Sequence, residues 1–439
     1  GPEGKWTAWS NPAKFAYKPN TPAPKALPLY NKDAPRISSF QTSNETLNKI
    51  FDKSAARLSE ISTLRDTHLT LRAACYHHDL FPHAANWLNL LNTSTDEQDL
   101  YPGSLPPGDT KPGSFNSDTG ILAAHVLHLM SGDRNLLTDN WKTMNKYLTA
   151  RKKIDPDFKG RSFGEIPAGT LAEGDPTPEA LLHTASHGVV YRLMVELSRT
   201  AANTPFETPI LEKGLNSLRE SYQQRYLTKK GELKVDTLVA QLATLRLGLL
   251  STKEQKDAVS KQFLKKFKAQ DKSKAFTHGP LAAYSLLPVL SWTDNHEYAV
   301  EVAGSQPVDQ LSPVALAAIS EWLIWMIGGI DAQGPGFQQV RFAPRIPADG
   351  SLTFAKADYK SQYGLIESHW RIADDGMHYE ITLPPNASGI VMLPAKEGTT
   401  VTEGGKSLDK VPEIVGQVRA GDRLQLNILP GKYHFKVAK

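Results

Sequence analysis

From about residue 40 to residue 330, apolar positions recur at helical spacing. Leu47, Ile50, Phe51, Leu58 and Ile61 share one stripe, and Tyr76, Phe81, Trp87, Leu88 and Leu91 form the next. Further helices are expected near Ser117, Leu136, Thr177, Leu211, Asp236, Lys253, Gly279, Asn295 and Ser312. Two carry explicit start signals. Thr177-Pro178-Glu179 and Ser312-Pro313 each set a hydroxyl cap before a proline at the first helical position. Gly328-Gly329 stops the last helix. Roughly eleven helices with mostly short links, and no repeat of about 34 or 40 residues, predict helical hairpins closed into a ring rather than a solenoid.

From about residue 335 the period becomes two. Met377, Tyr379, Ile381 and Leu383 alternate with His378, Glu380 and Thr382. Leu424, Leu426 and Ile428 alternate likewise, as do Tyr433, Phe435 and Val437 after Pro430-Gly431. These are half-buried antiparallel strands separated by turns, in a β-sandwich of about 100 residues. At the other end, Pro12, Pro19, Pro22, Pro24, Pro28 and Pro35 follow a weakly alternating stretch at 6–10. A short strand and an extended lead-in are expected there. The expected organisation is a Pro-rich lead-in over 1–38, a helical barrel over 39–333 and an antiparallel sandwich over 334–439. Gly1-Pro2 reads as a processed end.

Composition narrows the classes. The 439 residues exceed what one core usually supports, and 40% apolar with 22% charged residues mark a folded chain. A net charge of +4, in short mixed clusters such as Lys229-Lys230, argues against nucleic acid or an anionic membrane as partner. No apolar run reaches the ~18–20 residues of a spanning helix. One cysteine excludes an internal disulfide and a cysteine zinc cage, and Cys75 reads as a small core residue. His77-His78 and His83 lack the spacing of a zinc helix, so neither a metal nor a cofactor is expected.

Carboxylates carry the remaining chemistry. Glu321 sits on an otherwise apolar helix, where a charge must be paired or must face a cavity. A long Pro/Gly loop from Tyr101 to Gly108 leads to Asn116-Ser117-Asp118, and suits a binding rim. Asp118 there serves either a ligand or the helix dipole. Glu165, after Phe163-Gly164, and Asp175 lie in loops and read as site acids or as solvated ones. Arg65-Asp66 forms a surface pair or part of a site, with His68 beside it. His278 stands at a helix entry, to cap it or to touch a substrate hydroxyl.

The run Ser320-Glu321-Trp322-Leu323, Ile327-Gly328-Gly329-Ile330-Asp331, Pro335-Gly336-Phe337 and Phe342-Ala343-Pro344 resembles the α-L-rhamnosidases of glycoside hydrolase family 78. The likeness continues through Tyr359-Lys360-Ser361, Ser368-His369-Trp370, Leu383-Pro384-Pro385 and Val391-Met392-Leu393-Pro394. Ser43-Asn44-Glu45-Thr46-Leu47, Tyr76-His77-His78-Asp79 and Asn86-Trp87-Leu88 are similar to that family's first helices, and Trp9-Ser10-Asn11-Pro12 to the strand end before them. The resemblance implies an (α/α)6 barrel followed by the sandwich, and inverting hydrolysis of terminal α-L-rhamnosides.

It also implies roles. Glu321 stands where the family has its base, and Asp118 and Glu165 stand at sugar-binding positions. The family's acidic loop is cut short around Arg65-Asp66-Thr67-His68, so Asp66, Glu165 or Asp175 is expected to supply the acid. His68, Arg72, Tyr101, His278 and Trp322 complete the expected substrate contacts. Three readings follow: an exo-acting, secreted or periplasmic glycosidase on a rhamnose-containing oligo- or polysaccharide; a lyase at a rhamnose–uronate linkage, with His68, Arg72, His278 or Tyr101 moving protons; and a glycan-binding protein with a degraded site.

Overall fold

The computed structural model describes residues 33–105, 107–108, 110–161, 164–200 and 207–439. The stretch at 6–10 and most of the Pro-rich lead-in lie outside these residues. Helix α1 (Glu45–Arg57) turns back as α2 (Leu64–His77), and α3 (Phe81–Thr93) as α4 (Thr119–Ser131). The single-turn α5 (Asn135–Thr138) leads to α6 (Trp141–Ile154), which returns as α7 (Glu179–Thr200). Then α8 (Thr208–Tyr226) pairs with α9 (Leu238–Arg246), α10 (Lys253–Phe267) with α11 (Pro280–Trp292), and α12 (His296–Gly304) with α13 (Pro313–Trp322).

The second helix of each hairpin lies in an inner ring. Contacts run α2–α4–α7–α9–α11–α13 and back to α2, which closes an (α/α)6 barrel. The sequence explains the layers. Inner α11 and α13 are apolar almost all round, because ring neighbours and outer helices cover every face. Outer α10 is amphipathic, burying Val259, Phe263 and Phe267 and turning its lysines outward. Side-chain caps set several starts. Thr63 Oγ1 accepts from the Asp66 amide, Thr237 Oγ1 from the Ala240 amide, and Ser312 Oγ from the Ala315 amide ahead of Pro313. Thr177 differs from expectation: its hydroxyl pairs with that of Thr237 at 2.6 Å, and α7 begins after Pro178.

All six inner helices run in one direction. Their N-terminal ends are reached by long connections such as 94–118 and 155–178, their C-terminal ends by short ones such as 78–80 and 293–295. One end of the barrel is therefore a rim of loops and the other a set of tight turns. Past α13, a π-helical turn (Leu323–Ile327) gives way to the β-domain at Gly328.

The β-domain has two sheets. One joins β1 (Ser38–Thr42), β4 (Phe354–Ser361), β5 (Gly364–Ala373), β6 (Gly376–Leu383), β12 (Gly431–Val437), β8 (Val401–Glu403) and β9 (Lys406–Ser407) in that order. The other joins β10 (Ile414–Ala420), β11 (Arg423–Ile428), β7 (Ser388–Leu393), β3 (Gln339–Phe342) and β2 (Ile330–Ala332). The pairing is antiparallel except for β3 with β7. Two strands lie outside the expected 334–439. β2 comes directly off the barrel, and β1 precedes α1 yet pairs with β4. Tyr76 of α2 packs edge-on against Tyr359 of β4, joining barrel to sheet.

Candidate active site

Glu321 is the penultimate residue of α13 and is 4% exposed. One carboxylate oxygen faces Arg72 Nη1 at 3.7 Å, and the other, Oε2, is buried with no hydrogen-bond partner among the described residues. Burial pushes its pKa up from the ordinary carboxylate value, against the charges of Arg72 and Arg246. Arg72, on α2, donates from Nη2 to Asp331 Oδ1 at 2.7 Å, and its guanidinium lies 4.9 Å from the Trp325 ring centre. Arg246 ends α9 and also approaches the Trp325 ring, at 5.8 Å, as well as Trp292 at 4.9 Å and Tyr284 at 4.6 Å. It donates to the Tyr284 hydroxyl at 3.0 Å, while its Nε is buried without a hydrogen-bond partner among the described residues.

These residues form one cluster: two carboxyl groups on a shared guanidinium, a second guanidinium and three aromatic rings. Pairing differs between the carboxyl groups. Asp331 is ion-paired at hydrogen-bond distance, and Glu321 is not. Two such groups in unlike environments are what acid–base chemistry needs. Arg246 and Trp292 also line a cavity of about 1050 Å³ between α10 and the ends of α9 and α11.

The acids expected to partner Glu321 are elsewhere. Asp66 lies in the first turn of α2, doubly bonded to Arg65 at 2.7 and 2.8 Å. It is six residues from Arg72, hence on another face and roughly 9 Å away along the axis. Glu165 is exposed in the rim connection between α6 and α7, and Asp175 there accepts the Thr177 amide at 2.9 Å. Phe163 lies outside the described residues. His278 precedes α11 and pairs with Gln270 at 2.9 Å. Thus Asp66, Glu165, Asp175 and His278 belong to the rim, and Glu321 to the far end of the ring. His68 is on the same face as Arg72, one turn earlier; burial holds its pKa down at about 4, with Asp118 opposing, so its ring is neutral near pH 7.

Three expected substrate contacts are structural. Asp118 is buried, and its oxygens accept from Tyr147, Arg151, Ser186 and the Phe115 amide. Although burial works against the charge, Arg151 and these hydrogen bonds hold its pKa down at about 2. It has no oxygen left for a sugar. Tyr101 is fully buried, donates to Asn92 at 2.7 Å and packs on Tyr147. Trp322 is fully buried and donates to Ser291 at 2.9 Å. It points into the packing between α13 and α11, while the neighbouring Glu321 points at Arg72.

Asp331, Arg246, Trp325, Tyr284 and Trp292 were not singled out by sequence. Two signals stood there: Trp325 follows Glu321 by four residues, and Arg246 closes an otherwise uncharged helix. Outside the barrel, Asp358, Glu367 and His369 bring three possible metal-ligating atoms within 4.8 Å of one another. His369 is already bonded to Asp358 at 2.6 Å, Ser39 to Asp358 at 2.6 Å and Thr382 to Glu367, so the trio fits a cross-strand polar network.

A closed ring of six helical hairpins, carrying a buried and half-satisfied carboxyl group, defines a six-hairpin glycosidase fold. Residues 35–308 match the bacterial alpha-L-rhamnosidase 6 hairpin glycosidase domain, and residues 329–407 the bacterial alpha-L-rhamnosidase C-terminal domain. The chain belongs to this bacterial α-L-rhamnosidase family. It is 24% identical to an α-L-rhamnosidase of Streptomyces avermitilis, over 87% of this chain and 41% of that protein. With one from Formosa agariphila the identity is 22%, over 82% and 43%. The chain thus spans less than half the length of these relatives. The solved Streptomyces avermitilis enzyme, complexed with L-rhamnose, superposes with a TM-score of 0.79 at 21% identity, over 93% of this chain and 42% of that one. The enzyme from Dictyoglumus thermophilum gives 0.80 at 17%, over 93% and 51%. At such identities the superpositions show a shared fold.

Proposed function

We propose that this chain is an exo-acting glycoside hydrolase of the α-L-rhamnosidase type, removing terminal rhamnose from an oligo- or polysaccharide by an inverting mechanism. The observation that supports the reading most is the pair of carboxyl groups on Arg72, one favoured as the neutral acid and the other ion-paired. Inversion requires a proton for the leaving oxygen and a base for the attacking water, from carboxyl groups about 6.5–9.5 Å apart. The raised pKa suits Glu321 to the acid role, the reverse of the role its resemblance implied. Asp331 then takes the proton of the water as the water's oxygen bonds to the anomeric carbon and the glycosidic bond breaks. Arg72 positions both carboxyl groups. A secreted or periplasmic location suits such a substrate.

The test is release of rhamnose from an aryl α-L-rhamnoside and from rhamnose-capped oligosaccharides, with the anomer read by proton NMR. We expect β-L-rhamnose first, and a fall in kcat of about 10²–10⁴-fold for Glu321→Gln and for Asp331→Asn. Full activity in Glu321→Gln removes Glu321 from the chemistry. New ultraviolet absorbance of an unsaturated uronate replaces hydrolysis with elimination. Binding of these glycans with no product makes the protein a glycan binder.

A further inference from the structure

The cavity beside Arg246 is far more basic than the protein around it. Eight of its described lining residues are Lys or Arg and two are Asp, a formal +6, whereas the whole chain carries +4. The lining comes from five successive helices. Arg192 of α7, Arg219 of α8 and Arg246 of α9 converge on it, and α10 adds a row that includes Lys256 and Lys261. Gly248, with φ +77°, lets the chain turn under the arginines: a Cβ there would lie 3.6 Å from Arg192 Cδ and 3.9 Å from Arg219 Nη2.

Charge compensation inside this lining is poor. Arg192 is paired to Glu196 at 2.9 Å and Lys253 to Asp257 at 2.5 Å. Arg219 instead donates to the Gly248 carbonyl at 3.0 Å, and Arg246 is held by aromatic rings and the Tyr284 hydroxyl. Neither guanidinium has a carboxylate within ion-pair distance among the described residues. A fold gathers uncompensated guanidinium groups at a cost in repulsion, which an anionic ligand relieves. Trp292 adds an apolar wall on which a sugar ring can lie. The volume of about 1050 Å³ exceeds what one sugar needs and suits a short oligosaccharide. Arg246, part of the lining, also lies 5.8 Å from the ring centre of Trp325, the residue that Arg72 approaches in the Glu321 cluster.

We propose that this cavity binds the anionic portion of the substrate, a carboxylate- or sulfate-bearing saccharide whose terminal residue is cleaved beside Glu321. The proposal rests on the glycosidase reading for which sugar is removed, but not for the binding itself. Calorimetric titration of the full chain tests it without turnover. The probes are tri-galacturonate, a sulfated trisaccharide, their neutral counterparts, and an inorganic polyphosphate of equal charge. We expect at least one charged trisaccharide to bind tenfold or more tighter than its neutral counterpart, with the difference shrinking as salt is raised. Lys256→Ala combined with Lys261→Ala, two surface changes, should weaken that binding at least threefold at unchanged melting temperature, and Arg219→Lys should weaken it further. The tighter of the two charged probes assigns carboxylate or sulfate. Equal binding of charged and neutral trisaccharides overturns the proposal, as does polyphosphate binding as tightly as the best saccharide. If charged saccharides bind in this way while no rhamnoside is cleaved, the glycosidase reading fails and the site stands.

Discussion

Asp118 and Glu321 are two acids at nearly the same degree of burial, and the protein treats them in opposite ways. Asp118 is surrounded by donors from α6, α7 and its own loop, ion-paired to Arg151, and kept ionised. Glu321 has one distant guanidinium for one oxygen and, among the described residues, no hydrogen-bond partner for the other. The first arrangement fixes how three helices meet. The second leaves an unmet demand for a hydrogen-bond partner. Burial alone therefore does not separate scaffold from site; the state of pairing does.

The largest effect that would break this contrast comes from Asp118→Asn. The substitution keeps the shape and strands the buried Arg151 charge, so a loss of about 3–5 kcal/mol is expected in urea or guanidinium unfolding. A loss under 1 kcal/mol would mean the network is incidental. Next is the acid limb of stability. The native pKa of Asp118, about 2, lies below its ordinary value of 3.8, so its contribution is complete above pH 4 and is lost as pH falls towards 2. Wild type should lose about 2 kcal/mol over that window through this group, and Asp118→Asn should show that much less acid dependence. The smallest effect belongs to Glu321→Gln. Glu321 has only a 3.7 Å contact to Arg72 to lose, so an amide of the same shape should change stability by less than about 1 kcal/mol, in either direction. A loss as large as that of Asp118→Asn would show that Glu321, too, is scaffold.

Much of the fold was legible because it is written in local periods. The stripes of α1 and α3, the Ser312-Pro313 start and the glycine stop after α13 depend on neighbours in sequence, as does the alternation in β6, β11 and β12. What escaped was what depends on distant chain. β1 has little alternation of its own and is a strand because β4 offers it a ladder. The Thr177 hydroxyl meets that of Thr237, sixty positions on, a contact that local sequence does not announce. The candidate site shows the same limit. An isolated Glu on an apolar helix drew attention to Glu321, which is buried and incompletely paired. Which acid stands near it depends on how far down a ring of parallel helices each residue falls, and motif order does not encode depth. Asp66 and Arg72 share one helix but not one level or face, and Asp331 reaches Arg72 only because the chain leaves α13 through the π-turn.

The pairing of β1 with β4 has a consequence for biogenesis. Ser38 sits opposite Tyr359 and Thr42 opposite Ala355, so a strand made before the barrel helices must wait for one made after them. The ring imposes the same wait, since α2 needs α13 to close it. During synthesis the nascent chain therefore presents an open arc of apolar hairpins and an unpaired strand edge, until α13 and β4 have left the ribosome. Slow folding and dependence on chaperones are the expected costs of fastening together segments so far apart in sequence.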